Sequence, residues 1–123
     1  MLIMDTEAQE DNREEFAQIM REIASGKRDG FSALHRQWSG LVYGVAYRVL
    51  NDPQDAEDVT QEVFTNLWKK AAMYDSTRGK PQTWIAALAR NRAIDRLRSK
   101  QRRAQLRDDL EEEKDVVLRK DYV

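Results

Sequence analysis

The residues best suited to bind a partner begin with an acidic stretch, DAEDVTQEVF, at residues 55–64. Asp55, Asp58 and Glu62 recur there at helical spacing and would form one exposed stripe, the acidic stripe, opposite Val59 and Val63. Three interpretations stay open. Acidic residues in a first helical turn complement the helix dipole, carboxylates can hold a divalent cation, and an exposed acidic face can dock a basic partner. The metal site has least support, because no histidine or second carboxylate-bearing element accompanies it.

A second stretch, TRGKPQTWIAALARNRAIDRLRSKQRR at residues 77–103, mixes basic groups with an aromatic ring, an amide and a carboxylate. Arginines neutralise phosphates, Asn and Asp hydrogen-bond base edges, and rings stack on bases. Trp84 could equally belong to the core, whereas Asn91 is a poor helix former in mid-helix and therefore favours function. The candidate nucleic-acid contacts are Trp84, Asn91, Arg92, Asp95, Arg96, Arg98, Lys100, Arg102 and Arg103.

The loop before this stretch is polar and rich in turn formers. It comprises Asp75, Ser76, Thr77, Arg78, Gly79 and Lys80. A flexible polar loop beside a basic helix could enclose an unstacked base, as proteins that read single strands often do. An ordinary connector is the other interpretation. We refer to residues 75–80 as the capture loop.

Charge is distributed unevenly along the chain. Residues 75–107 carry ten lysines and arginines against two aspartates, a net charge of +8, although the whole chain has a net charge of −1. A field of that size indicates a polyanion-binding surface, and nucleic acid is the commonest such partner. A solvated helix face is the alternative.

Several classes of function are disfavoured by residues that are missing. Without cysteine, and with His35 as the one histidine, the chain can form neither a disulfide framework nor a Cys- or His-cluster zinc site. It has no nucleophile–base pair, glycine-rich phosphate loop or paired-carboxylate site, so we expect no enzyme, cofactor or metal. No apolar run approaches the roughly 20 residues of a membrane span, and residues 1–10 are acidic, unlike a signal peptide. We expect a cytoplasmic protein without membrane insertion.

The elements that position these residues are all helical, because alternating Val/Ile/Thr runs are absent and there are only two prolines. We expect a compact bundle of three main helices behind a shorter one at 13–24, whose apolar stripe is Phe16, Ile19, Met20 and Ile23. Gly26 and Gly30 would bracket the turn that follows. The second helix has the clearest apolar face, formed by Phe31, Leu34, Trp38, Leu41, Val42, Val45, Ala46, Val49 and Leu50.

The boundaries of the other helices follow from turn chemistry. Asn51-Asp52-Pro53 ends the second helix and starts a third, which continues to about Tyr74. Val59, Val63, Leu67 and Ala71 form its buried line, with Phe64 and Trp68 beside it. The fourth helix should run from 82 to about 103. Its expected buried face consists of Ala86, Ala87, Ala89, Ala93, Ile94 and Leu97.

We divide the chain into an acidic N-terminal segment with a short helix (1–30), a main domain (31–107) and an acidic linker or tail (108–123). The tail is thinly apolar and could form at best a peripheral helix.

Residues 31–103 resemble region 2 of the extracytoplasmic-function (ECF) sigma factors. FSALHRQWSGLVYGVAYRVLNDPQDAEDVTQEVFTNLWKKAAMYD is similar to that family's first two conserved helices. GKPQTWIAALARNRAIDRLRSKQRR resembles the helix that melts and reads the minus-ten promoter element. The family's second domain, a helix-turn-helix that reads the minus-thirty-five element, has no counterpart here, which favours a fragment of a longer protein whose linker begins at 108.

The resemblance implies a sigma factor domain that binds core RNA polymerase and melts promoter DNA to initiate transcription. It places Asp55, Asp58, Gln61, Glu62 and Phe64 against the clamp helices of the largest polymerase subunit. It further implies that Asn91 and Asp95 contact minus-ten bases on the non-template strand, that the capture loop accepts a flipped base, and that Arg92, Arg96 and Arg98 face phosphates. An anti-sigma factor is a further expected partner. The alternative is a protein-interaction module held by such a factor, without independent DNA reading.

Overall fold

The all-helical prediction is confirmed by the computed structural model, which describes the backbone of residues 2–75, 77 and 79–121 and the side chains of 13–75, 77 and 79–117. The helices are α1 (Leu2–Ala24), α2 (Arg28–Leu50), α3 (Pro53–Lys70) and α4 (Pro81–Asp121), with a 3-10 turn, Ala71–Met73, after α3. No strand occurs within these described ranges.

One core joins the four helices. The expected stripe of α1 is confirmed: Phe16, Met20 and Ile23 are buried and Ile19 packs against them. Helix α2 buries most of its expected face, but Leu41 lies at its edge and is 36% exposed. The α3 line of Val59, Val63, Leu67 and Ala71 is buried as expected. Because residues 13–24 share this core, they pack as part of the same unit as residues 31–107.

The junction between α2 and α3 follows the local sequence. Asn51 caps α2 in the left-handed conformation, with φ of 55°, and donates its backbone N–H to Tyr47 O at 2.7 Å. Asp52 caps α3 by accepting a hydrogen bond from the Gln54 amide at 2.9 Å. Pro53 is the first residue of α3, where its missing N–H costs nothing. The expected boundary is confirmed.

The turn between α1 and α2 is shorter than expected. Gly26 adopts a positive φ of 89° there, but α2 already begins at Arg28, so Gly30 lies inside the helix. A Cβ at Gly30 would lie 3.1 Å from the Cβ of Glu22. A larger residue would therefore require Glu22 of α1 to shift, and our assignment of Gly30 to the turn was wrong.

Helix α4 differs most from its expected form. It continues to Asp121, and its side chains from Gln105 to Val117 are exposed. The segment expected as a linker is therefore an extension of the helix beyond the bundle. Its buried face also differs: Ile85, Ala89 and Ala93 are buried, whereas Ala87 is exposed. Ile85, which was not among the expected residues, is fully buried in the core where α4 packs against α2 and α3.

Candidate functional site

The acidic stripe of α3 is paired with basic side chains of α4. Arg96 donates from Nε to Asp55 Oδ1 at 3.0 Å and from Nη2 to Asp58 Oδ2 at 2.9 Å. Arg92 donates from Nε to Glu62 Oε2 at 2.8 Å. These contacts join the two stretches of sequence that we singled out separately.

The spacing of the two sets explains why they match. On α4, Arg92, Arg96 and Lys100 recur every four residues, and Lys100 donates to Asp55. Residue numbers fall from Glu62 to Asp55 along α3 while those of their partners rise along α4. The two helices therefore run antiparallel at this contact. Residues three or four apart lie on the same helix face, so three ion pairs can form side by side between the two helices.

Asp55 is the buried member of this network. It is 8% exposed, so its expected place on an open stripe was wrong, because Arg96 and Lys100 cover it. The hydrogen bond from Lys100 lowers the pKa of Asp55 below its usual value of 3.8, burial opposes this, and Arg96 lowers it further. The charged form of Asp55 is therefore favoured in the folded protein.

We expect Asp55→Asn to lower the free energy of unfolding by about 1–3 kcal/mol at pH 7, because it leaves Arg96 and Lys100 without their shared buried partner. Since folding depresses the pKa of Asp55, its stabilisation is complete above the unfolded pKa of about 3.9 and disappears as pH falls through the folded value. Chemical denaturation of both proteins from pH 7 to pH 3 should show the difference shrinking only below about pH 4. Asp58→Asn, at a 38% exposed side chain, is the control and should cost less. A difference that is constant down to pH 3 would contradict the pairing.

Two of the five residues expected at the polymerase surface are thus inaccessible. Phe64 is 2% exposed and packs between Phe31, at a centroid distance of 6.3 Å, and His35, at 4.7 Å. Phe64 and Asp55 therefore lie beneath the expected polymerase surface and are not part of it. Gln61 is exposed, and Asp58 and Glu62 keep 38% and 39% of their side-chain surface, so these three are available to a partner.

The geometry also bears on the metal interpretation. Each carboxylate of the acidic stripe already accepts from an arginine or lysine. Within the described part of the chain, no group of three or more His, Cys, Asp and Glu side chains is arranged to hold a metal ion. The carboxylates of the acidic stripe pair with arginine and lysine side chains of α4 instead.

A neighbouring face of α4 points to solvent, and it borders the acidic stripe at Asp95, which lines the same groove as Arg92 and Arg96. Asn91, Asp95, Arg98 and Arg102 are exposed and fall on one side of the helix, which we term the reading face. Arg103 is exposed as well, beside Lys100 near the acidic stripe. Arg90, which we did not single out, is exposed on the same helix. Arg92, Arg96 and Lys100 instead point toward α3, so the basic residues of α4 are divided between two surfaces.

Trp84 and the capture loop lie at the start of α4. Trp84 is partly buried, with its ring centroid 5.1 Å from Tyr74 and 6.1 Å from Phe16. Asp75 Oδ1 accepts from Thr77 N at 2.9 Å and from Thr77 Oγ1 at 2.6 Å. Gly79 has a φ of 137°, and Lys80 O accepts from Trp84 N at 3.1 Å. Ser76 and Arg78 lie outside the described residues.

One exposed feature was not anticipated. Trp68 is 38% exposed, although we placed it beside the buried line of α3, and its ring meets Phe31 edge-on at 5.3 Å. The two rings line an open groove of about 400 Å³ with Arg28, Ser32 and Thr65. Hydrophobic spacing alone could not separate Trp68 from Phe64, because both follow the same helical face.

No described helix is long and apolar enough to cross a membrane.

Comparison with known proteins agrees with this architecture. The family model described as Sigma-70 region 2 matches residues 34–103. The ECF RNA polymerase sigma factor SigK of Mycobacterium ulcerans is 40% identical over 83 residues, covering 68% of this chain and 44% of that protein. SigK of Mycolicibacterium vanbaalenii is 40% identical over 83 residues, covering 68% and 42%. SigK of Mycobacterium tuberculosis is 32% identical over 83 residues, covering 68% and 44%.

These matches span less than half the length of the relatives. The region 2 match covers both surfaces described above, the capture loop and the part of the core that α2, α3 and α4 contribute, but not α1. The chain belongs to the sigma-70 region 2 family and is a region 2 domain of the extracytoplasmic-function type.

Proposed function

We propose that this domain binds core RNA polymerase through α3 and captures the non-template strand of the minus-ten element through α4 and the capture loop. The observation that carries the proposal is the division of α4 into two surfaces. Arg92 and Arg96 pair with α3, while Asn91 and Asp95 remain open to solvent. Polymerase and DNA could therefore be held at the same time by neighbouring faces of one bundle.

At the polymerase surface, we assign direct contact to Asp58, Gln61 and Glu62. Their exposure leaves oxygen atoms for basic groups of the clamp helices, the partner that the resemblance implies. Asp55 and Phe64 act from below, the first by fixing α4 and the second by filling the core. The similarity to ECF RNA polymerase sigma factors supports this partner.

At the DNA surface, we assign base contacts to Asn91 and Asp95 and phosphate contacts to Arg98, Arg102 and Arg103. Amide and carboxylate groups can hydrogen-bond base edges, whereas guanidinium groups neutralise the backbone. Trp84 and the capture loop would receive an unstacked base. Arg92, Arg96 and Lys100 already pair with carboxylates of α3. Each could contact a phosphate only while it also contacts its carboxylate partner.

The role is non-catalytic, as it is in the sigma factor family, and needs no cofactor. Binding energy from strand capture would stabilise the melted promoter without ATP. We propose that the protein acts in the cytoplasm, where RNA polymerase transcribes, and that an anti-sigma factor holds it inactive by covering one or both surfaces.

Salt dependence tests the assignment of phosphate contacts. Three arginines that each neutralise one phosphate of a single strand should give a slope of log affinity against log salt of roughly −2, at about −0.7 per contact. Titrations of non-template oligonucleotide against the polymerase complex, from low to high salt, would measure it. Arg98→Gln and Arg102→Gln should each flatten the slope by about 0.7.

The control is Lys114→Gln, which removes an exposed charge further along α4, within the acidic stretch. It should leave the slope unchanged. A wild-type slope near zero would remove α4 from the DNA interface and contradict the proposed function.

A further inference from the structure

Phe16 of α1 lies at the centre of an aromatic cluster. Its ring meets three others edge-on: Trp38 at 5.7 Å and 84°, Tyr74 at 4.9 Å and 79°, and Trp84 at 6.1 Å and 74°. Phe16 itself is 2% exposed, so it does not contact a partner directly. Its three neighbours come from α2, from the segment after α3 and from α4.

Two of those neighbours flank the capture loop. Tyr74 immediately precedes the loop, and its amide donates to Ala71 O at 3.2 Å. Trp84 lies in the first turn of α4, and its amide donates to Lys80 O at 3.1 Å. The two rings therefore belong to residues that bracket the loop, one on each side. Tyr74 and Trp84 also touch each other, with centroids 5.1 Å apart.

Edge-to-face contacts are directional, because the positive ring edge is attracted to the negative face of its neighbour. One ring that contacts both Tyr74 and Trp84 in this way fixes their separation and their tilt. A side chain of similar volume without a ring would fill the space but would not impose that geometry.

We propose that Phe16 is a positioning residue for strand capture, through which α1 fixes the separation and orientation of the Tyr74 and Trp84 rings. The inference rests on the proposed function, since it concerns the same DNA surface. Helix α1 lies before residue 34, where the family match begins, so the match itself assigns α1 no role. The residues given to phosphate contact start at Arg98, several turns further along α4, and do not depend on Phe16.

The test compares Phe16→Leu with Ile23→Val, a control that trims another buried side chain of α1 outside the aromatic cluster. The probe is a fluorescein-labelled single-stranded oligonucleotide carrying a minus-ten sequence selected by wild-type protein with core polymerase. Phe16→Leu should weaken binding about tenfold, the size of one lost base contact, with an unchanged salt slope. Its affinity for core polymerase should stay within about twofold of wild type, well below the tenfold that corresponds to 1.4 kcal/mol.

A second readout follows the base itself. With 2-aminopurine at the captured position, Phe16→Leu should give a smaller change in fluorescence on binding even at saturating protein, because the base is less well held. Ile23→Val should match wild type in both assays. Phe16→Met, which keeps an unbranched apolar side chain without a ring, replaces Phe16→Leu if thermal melts show that the latter does not fold.

The outcomes separate the two proposals. Wild-type affinity and amplitude in the Phe16 variant, or equal losses in both variants, would overturn the positioning role and leave the proposed function standing. Failure of the wild-type complex to bind the oligonucleotide would overturn the proposed function itself.

Discussion

Asp58→Lys combined with Glu62→Lys should abolish binding to core RNA polymerase while the helical fold persists. Both side chains are more than a third exposed and would face the basic clamp helices. Placing like charges opposite each other at an interface costs several kcal/mol, and every 1.4 kcal/mol is about tenfold in affinity. We therefore expect a loss of at least about a hundredfold.

The same change has a smaller effect on folding. It replaces the pairs of Asp58 with Arg96 and of Glu62 with Arg92 by like charges. These positions are partly exposed, so each lost pair and each new repulsion costs about 0.2–1 kcal/mol. Affinity is measured by titrating labelled core polymerase, and folding by thermal melting. Glu57→Lys is the control, because it makes one such charge reversal at an exposed position of the same helix, outside the acidic stripe. Unchanged polymerase affinity in the double variant, or an equal loss with Glu57→Lys, would contradict the assignment of Asp58 and Glu62 to polymerase contact.

The pairing with α4 changes how this surface would work. An unpaired glutamate on a helix samples many rotamers, and ordering it on binding costs conformational entropy. Arg92 and Arg96 already hold Glu62 and Asp58 in place. The polymerase would therefore meet carboxylates that α4 has already positioned. Because α4 also presents the reading face, the ion pairs between α3 and α4 connect the two surfaces.

Much of the fold could be predicted from local sequence. The boundary at Asn51-Asp52-Pro53 combines a left-handed cap, a side-chain cap and a proline at the first helical position, and all three formed. The apolar stripes of α1, α2 and α3 repeat at three and four residues, which suffices to identify their buried faces. These signals depend on neighbours within a few residues, and therefore survive in a single sequence.

The length of α4 was underestimated because we relied on an apolar stripe to extend a helix. Residues 108–117 are exposed, yet residues 108–121 contain no glycine or proline, and eight of these fourteen are Glu, Lys, Leu or Arg, which favour helix. Continuity from a well-anchored helix supplies the nucleus that an isolated segment would lack. Composition, rather than periodicity, was the informative signal there.

The acidic stripe shows what local patterns omit. Helical spacing placed Asp55, Asp58 and Glu62 on one face but could not indicate whether that face meets solvent or another helix. The answer depends on Arg96 and Lys100, which are 41 and 45 residues away from Asp55. A matching four-residue repeat of basic groups at 92, 96 and 100 was the available signal. Compared across the two helices, it would have indicated the pairing.

Asn91→Ala should separate base reading from phosphate holding. Asn91 is exposed and makes no side-chain hydrogen bond within the described part of the chain, so a structural role as a buried amide is excluded there. Alanine has a higher helix propensity than asparagine by up to about 0.7 kcal/mol, so the variant should melt at the same temperature as wild type or higher. A loss of DNA affinity could then not be attributed to unfolding.

We expect Asn91→Ala to cost about 1–3 kcal/mol on the selected minus-ten strand, because the amide contacts a base edge, and much less on a scrambled strand. Arg102→Ala, on the same face, is the control and should weaken both strands about equally, since a phosphate contact carries no sequence information. Paired titrations of matched and scrambled non-template strands against each polymerase complex give the comparison. Equal losses for Asn91→Ala on the two strands would exclude it from base reading. Because Trp84 and the capture loop are the other groups placed to meet an unstacked base, sequence discrimination would then have to arise there.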